Sequence, residues 1–299
     1  MKKLPNFLIV GASKSGTSSL YHYLRQHPEI YLSEKQKEGR FFSQMKDCFH
    51  GPGDEAVSST VISDLEGYAT LFNDYKNETA VGDISPDYLY AFKKAIPLIH
   101  ETLGKEVRII IILRNPTDRA YSAYTHFKRD LRETLSFEEA LDKEPERARN
   151  KWLWAWQYKN SGFYSEQVEA WMTNFPNVKV FLYDELLTNQ VKVLKELCAF
   201  IGVDPDFAFD TTYKYNVSGE PKSQVLYKLE TSRGLVKAVK KILPAGLSAW
   251  LKKNFTGEKQ MVKSEMNPET KRQLIDFFRE DILKLQKIID RDLSAWLRV

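Results

Sequence analysis

Short apolar runs separated by longer amphipathic stretches set the layout of this chain. Phe7-Leu8-Ile9-Val10 closes on Gly11, the pattern of a buried strand. From Ser18 to Gln26 the period changes: Leu20, Tyr23 and Leu24 recur at helical spacing, and His27-Pro28 ends the run. A short strand starts at Val81 and is closed by Ser85-Pro86. Val107 to Leu113, Val-Arg-Ile-Ile-Ile-Ile-Leu, is the strongest strand pattern. A continuous β-branched run of this kind suits a central parallel strand covered on both faces. Asn115-Pro116-Thr117-Asp118 then starts a helix with proline in its first turn. Val178 to Tyr183 is a further strand, and Asp184 opens a helical stretch to about Ile201, ended by Gly202. Asn267-Pro268-Glu269 starts a last helix that ends in Asp292-Leu293-Ser294-Ala295-Trp296. Strands alternating with helices predict an α/β fold, with a central parallel sheet flanked by helices on both faces and a helical C-terminal region. No internal repeat is visible, and residues 1–299 read as a single domain.

Composition narrows the function classes. The chain has 299 residues and 42% hydrophobic content, enough for a packed core. Its 44 basic and 40 acidic residues leave a formal charge of +4. That excess suits an anionic ligand but is no nucleic-acid footprint. Cys48 and Cys198 form no CxxC pair, so reduced thiols are expected rather than a zinc site. No apolar run reaches the roughly 18 residues of a membrane span, and Met1-Lys-Lys opens no export signal. A cytoplasmic location is expected. The N-x-[ST] triplets at Asn77, Asn216 and Asn254 then read as chance matches. Residues 232–257 are basic and amphipathic, with Val236, Val239, Ile242 and Leu243 among Lys237, Lys240 and Lys241. They read as a solvated helix face, with peripheral membrane contact as the alternative.

The chemistry is concentrated after the first strand. Gly11-Ala-Ser-Lys14-Ser15-Gly16-Thr17-Ser18-Ser19 lies between a buried strand and a helix. Helix N-termini present unpartnered N–H groups and a positive dipole end, a ready anion site. Gly11 and Gly16 have Walker spacing, but Thr17 stands where the Walker lysine belongs, and the lysine is inside the loop at Lys14. The loop is therefore P-loop-like without being a Walker loop.

Lys14-Ser-Gly-Thr-Ser-Ser-Leu, followed by a helix ending His-Pro, resembles the 5′-phosphosulfate loop of sulfotransferases that use 3′-phosphoadenosine-5′-phosphosulfate (PAPS). The resemblance is greatest to the heparan-sulfate and Golgi-type branch with its bacterial relatives. It implies that Lys14, Ser15, Gly16, Thr17, Ser18 and Ser19 wrap the 5′-phosphate. Lys14 would contact the bridging oxygen as the sulfuryl group leaves. Arg114 directly follows the central strand, where open α/β sheets bind ligands, and Ser122 lies eight residues on. A guanidinium there can clasp a phosphate with two bonds. The pair resembles the family's 3′-phosphate motif, which gives 3′-phosphoadenosine-5′-phosphate (PAP) as the expected product. The alternative is a surface Arg114, with Arg119 pairing Asp118 or Glu133.

For the acceptor proton the candidate base is Glu38, in Lys37-Glu38-Gly39-Arg40-Phe41-Phe42, which resembles the family segment with a glutamate before a Phe-Phe pair. The phenylalanines would pack in the core and aim Glu38 and Arg40 into the cleft. His126, one helical turn after Ser122, is the second candidate. Asp83 matches an acidic residue of a strand-end motif and is a third, on the substrate side. Ile84 stands where the heparan enzymes carry a lysine, which weakens the case for a polyanionic acceptor. Lys214 to Lys222 resembles a family loop near the active site, without assignable roles. No metal is expected, because a sulfuryl group carries less charge than a terminal phosphoryl group and Lys14 with the loop amides can relieve the leaving phosphate. The acceptor reads as a glycan, lipid or other small molecule. Two alternatives stay open: a P-loop nucleotide kinase, against which Thr17 and the strand-end Leu113 speak, and a nucleotide-binding module without turnover.

Overall fold

The computed structural model describes residues 3–46, 49–212, 220–221, 261–262 and 265–299. Cys48, most of the Lys214–Lys222 loop and the basic stretch 232–257 lie outside the described residues. Five parallel strands form the central sheet in the order β2-β3-β1-β4-β5. They are β1 (Phe7–Gly11), β2 (Ile30–Leu32), β3 (Ala80–Ile84), β4 (Arg108–Leu113) and β5 (Val178–Leu182). The helices that matter here are α1 (Thr17–Leu24), α2 (Phe92–Leu103), α3 (Pro116–Arg129), α4 (Ser165–Asn174), α5 (Tyr183–Thr188), α6 (Gln190–Ile201) and α7 (Pro268–Ile289).

Strand alternation decides which side chain feeds which core. Leu8, Val10, Ile109, Ile111 and Leu113 face one way and join buried residues of α2, α3, α4 and α7. Phe7, Ile9, Ile110 and Ile112 face the other way and join α1 and α6. The β-branched run of β4 is thus covered on both faces, as its composition predicts. Gly82 in β3 is required by close approach: a Cβ there would meet the Phe7 ring at 2.1 Å.

Four details stand out among the departures from the sequence expectation, which also leaves α2 and α4 unpredicted. β2 is an unpredicted edge strand of three residues. Tyr183 opens a helix instead of closing β5. The stretch from there to Ile201 is two helices, because Asn189 (φ −141, ψ 57) leaves helical geometry. The last helix stops at Ile289, where Asp290 takes φ 50, and Ser294–Leu297 is a separate 3₁₀ turn. Glu220–Pro221 pairs antiparallel with Met261–Val262. No described helix is long and apolar enough to cross a membrane.

Candidate active site

β1 sits between β3 and β4, so the chain leaves it toward both halves of the sheet. Loops at such a switch point form the natural ligand crevice of an open α/β sheet. The loop from Ala12 to Gly16 occupies it. Gly16 precedes α1 at φ +89, and a Cβ there would meet Leu186 Cδ2 at 2.9 Å and Tyr183 Cε2 at 3.0 Å. No side chain caps the start of α1, which leaves its positive end for an anion.

A cavity of about 350 Å³ opens over this loop. Lys14, Gly16, Thr17, Ser18 and Ser19 line it, and so do Glu38, Arg40, Arg114, Ser122 and His126. The sequence candidates therefore converge on one cleft, with two exceptions. Ser15 is fully buried and its side chain does not reach the lining. Asp83 is also buried, and its carboxylate accepts from Tyr88 at 2.7 Å, Ser85 at 2.8 Å and Tyr68 at 2.9 Å. Placed on the substrate side by sequence, Asp83 is in the structure a strut behind the cleft.

Lys14 and Arg114 meet directly: Arg114 Nη1 donates to the Lys14 carbonyl at 3.2 Å. The Arg114 guanidinium also lies 4.9 Å from the Tyr183 ring centroid, which limits where it can swing. Burial, together with the nearby cations Arg129, Arg114 and Lys37, pushes the Lys14 ammonium down to about 7. A lysine so crowded by positive charge gains from any anion that enters. α3 starts on an Asn115 cap, whose Oδ1 accepts from Thr117 N at 3.0 Å, and carries the buried Ser122 into the cleft wall. Arg119 faces the core, where it donates to the Tyr158 carbonyl. Glu133 accepts from Arg147 at 2.7 and 3.0 Å.

Glu38 is held by two cations. Its Oε1 is 3.2 Å from Lys37 Nζ and its Oε2 is 2.5 Å from Arg40 Nη2. Burial by itself would raise the carboxyl, but Arg40 and Lys37 prevail and keep it below the ordinary range. Lys37 also donates to Ser18 Oγ at 2.8 Å, tying Glu38 to the start of α1. Phe41 and Phe42 are buried and pack on Tyr68 at 4.8 and 5.2 Å between ring centroids, as the sequence segment predicts.

His126 Nδ1 lies 2.6 Å from Arg129 Nη2, which can only donate, so this nitrogen accepts. Burial and then Lys14 hold the imidazole well below its ordinary value. It is neutral with its basic nitrogen engaged. Sequence reasoning missed several lining residues, among them Tyr183, Asp87, Arg129 and Trp154. Burial pushes the Asp87 carboxyl up to about 6 against the pull of Arg40. Its position after Pro86 at the end of the β3 motif was the available signal.

A family model for the sulfotransferase domain matches residues 4–286. The chain belongs to the sulfotransferase family. A solved sulfotransferase from Alicyclobacillus acidocaldarius shares 37% identity and superposes with a TM-score of 0.79, over 99% of this chain and 100% of that one. Bifunctional heparan sulfate N-deacetylase/N-sulfotransferase 2 of Bos taurus is 26% identical over 310 residues, covering 99% of this chain and 31% of that protein. The human N-deacetylase/N-sulfotransferase 3 is 27% identical over 225 residues, covering 72% of this chain and 24% of that protein. This sulfotransferase thus spans about a third or less of the curated relatives it matches. The resemblance read from the phosphate loop and the α/β class predicted from the strand pattern are both borne out.

Proposed function

We propose that this sulfotransferase takes a sulfuryl group from PAPS and delivers it to a hydroxyl or amine of a small, lipid or glycan acceptor. The observation that carries the reading is a cleft, floored by an uncapped helix start, whose lining holds Lys14 on the loop and Arg114 at the end of β4. Two cation positions, one on the loop and one at the β4 edge, suit a nucleotide with phosphates at both ends.

In this reading the amides from Gly16 to Ser19 and Lys14 hold the 5′-phosphate, while Arg114 and Ser122 hold the 3′-phosphate. PAPS, when bound, supplies an activated sulfuryl group on a phosphate leaving group. Lys14 with the helix dipole offsets the charge that develops on that phosphate, the work a metal does in phosphoryl transfer. Glu38 accepts the acceptor proton once acceptor binding loosens its hold on Arg40. Among the described residues there is no group of three or more His, Cys, Asp and Glu placed to hold a metal. A cytoplasmic location and a single-domain organisation belong to the same proposal, resting on the sequence pattern alone.

Isothermal calorimetry with PAP, followed by turnover of labelled PAPS in excess EDTA, tests the reading. Tight PAP binding and chelator-resistant transfer are expected. Magnesium-dependent phosphoryl transfer from ATP would replace it with the kinase reading.

A further inference from the structure

The cleft has a second wall that neither the phosphate loop nor Arg114 supplies. Val57, Pro86, Phe127, Leu153, Trp154 and Ala155 line it. Of its two aromatic members, Phe127 and Trp154, the second is held firmly. The Trp154 indole stacks on Tyr90 with ring centroids 5.2 Å apart and planes at 20°. Tyr90 is fixed in turn by donating its hydroxyl to Gln157 Oε1 at 3.1 Å. The turn carrying Leu153 to Trp156 is fastened from below by Asp54, which is fully buried. Its carboxylate accepts from Leu153 N at 2.8 Å, Trp156 Nε1 at 2.9 Å and Gly51 N at 3.0 Å, and it pairs with Arg132.

Among the described residues, the charges beside this wall are matched. Arg132 is committed to Asp54, and its guanidinium stacks over Phe127 at 4.5 Å. Arg129 pairs with Asp130 at 3.0 Å, and Arg40 pairs with Glu38 at 2.5 Å. Asp87 adds a further carboxyl to the lining. A polyanionic acceptor needs cations free to replace its lost hydration. Here it would have to break existing pairs and approach Glu38 and Asp87. A flat apolar ring face gains from an immobile aromatic plate without disturbing any of these pairs.

We propose that the acceptor arm is built for an uncharged molecule that lays a ring face against Trp154 and presents a hydroxyl or amine toward Glu38. A phenol and the apolar face of a neutral pyranoside share this chemistry. The inference rests on the sulfuryl-transfer reading and names its substrate class. It separates this chain from a polyanion-sulfating enzyme.

The test uses the full chain with labelled PAPS and three acceptors at matched concentration: a simple phenol, a neutral aryl-free hexopyranoside, and an unsulfated uronate-containing glycan. Turnover of the phenol or the pyranoside, with a KM insensitive to salt from 50 to 300 mM, is expected; which of the two is used identifies the ring source. Trp154→Ala should raise that KM about 3- to 10-fold, the worth of one aromatic stacking contact. It should leave kcat and PAP affinity within about twofold, and Trp154→Tyr should restore KM. The wild-type salt series needs no variant, and PAP affinity reports whether each variant is folded. Preference for the uronate glycan with a salt-sensitive KM overturns the inference. So does an unchanged KM in a Trp154→Ala protein that binds PAP, or PAP binding with turnover on neither ring acceptor. Failure to bind PAP at all would sink the sulfuryl-transfer reading itself.

Discussion

Arg40 turns back on Glu38: its Nη2 lies 2.5 Å from Glu38 Oε2, with the Arg40 backbone in the left-handed region at φ 54. The catalytic candidate is therefore clamped by its near neighbour. A carboxylate in this state is ionised but weakly basic, so the clamp must relax when the acceptor arrives. Glu38→Gln should lower kcat about 10²- to 10⁴-fold, the usual range for a positioned acid–base group, with PAP affinity unchanged. Near-normal turnover of this variant with saturating acceptor would move the base elsewhere, to His126 first.

The clamp also sets a pH limb. Glu38 titrates below its ordinary 4.5 because Arg40 and Lys37 outweigh burial. Without the Arg40 cation, burial regains the upper hand, so Arg40→Met should carry the acid limb of kcat/KM toward higher pH. A pH–rate profile whose acid limb stays in place would mean that Arg40 does not govern the Glu38 proton.

Lys14 predicts a proton-linked cofactor affinity. In the nucleotide-free chain its ammonium is pushed down to about 7. Bound phosphates favour the charged form and raise that value. PAP affinity should therefore be greatest below pH 7 and fall as pH rises above it, with proton uptake on binding. Calorimetry at pH 8 in buffers of differing ionisation enthalpy reads the uptake directly. The uptake should vanish in Lys14→Met; if it persists there, another group carries the linkage.

Arg114→Ala should discriminate between nucleotides. Losing a charge-assisted bond to a phosphate costs roughly 1.5–3 kcal/mol, or about 10- to 150-fold in Kd. The loss should fall on PAP and largely spare adenosine-5′-phosphosulfate, which has no 3′-phosphate. Equal losses for both ligands would remove Arg114 from the 3′ position.

The parts of this site that were legible in the sequence are those fixed by local chain geometry. A buried strand, two glycines and a helix start place Lys14 and the loop amides within a dozen residues of one another. β4 likewise delivers Arg114 at its own end. What was not legible depends on contacts distant in sequence. Asp83 looks like an exposed strand-end acid until Tyr68 and Tyr88 close over it. The Trp154 plate needs Tyr90 and Asp54, 64 and 100 residues away along the chain. The break at Asn189 lies inside a continuous helical pattern, and no Gly or Pro marks it.

Two buried acids make a final prediction about stability. Burial raises Asp87 from 3.8 to about 6 and Glu144 from 4.5 to about 7. In the folded chain both keep protons that the unfolded chain has already lost. Their contribution is complete below the unfolded values and disappears as pH rises through about 6 and 7. His126 works the other way in part of the same window: its folded imidazole is held below 6.5, so the unfolded chain binds the extra proton there. Lys14, lowered from 10.5 to about 7, adds stability with rising pH only above that window. The wild-type slope alone is therefore a mixture, and the contrast with Asp87→Asn/Glu144→Gln isolates the two acids. Urea unfolding between pH 5 and 7.5 should show the wild type losing stability relative to this double variant as pH rises. Parallel curves across that range would mean that neither acid holds its proton in the folded state.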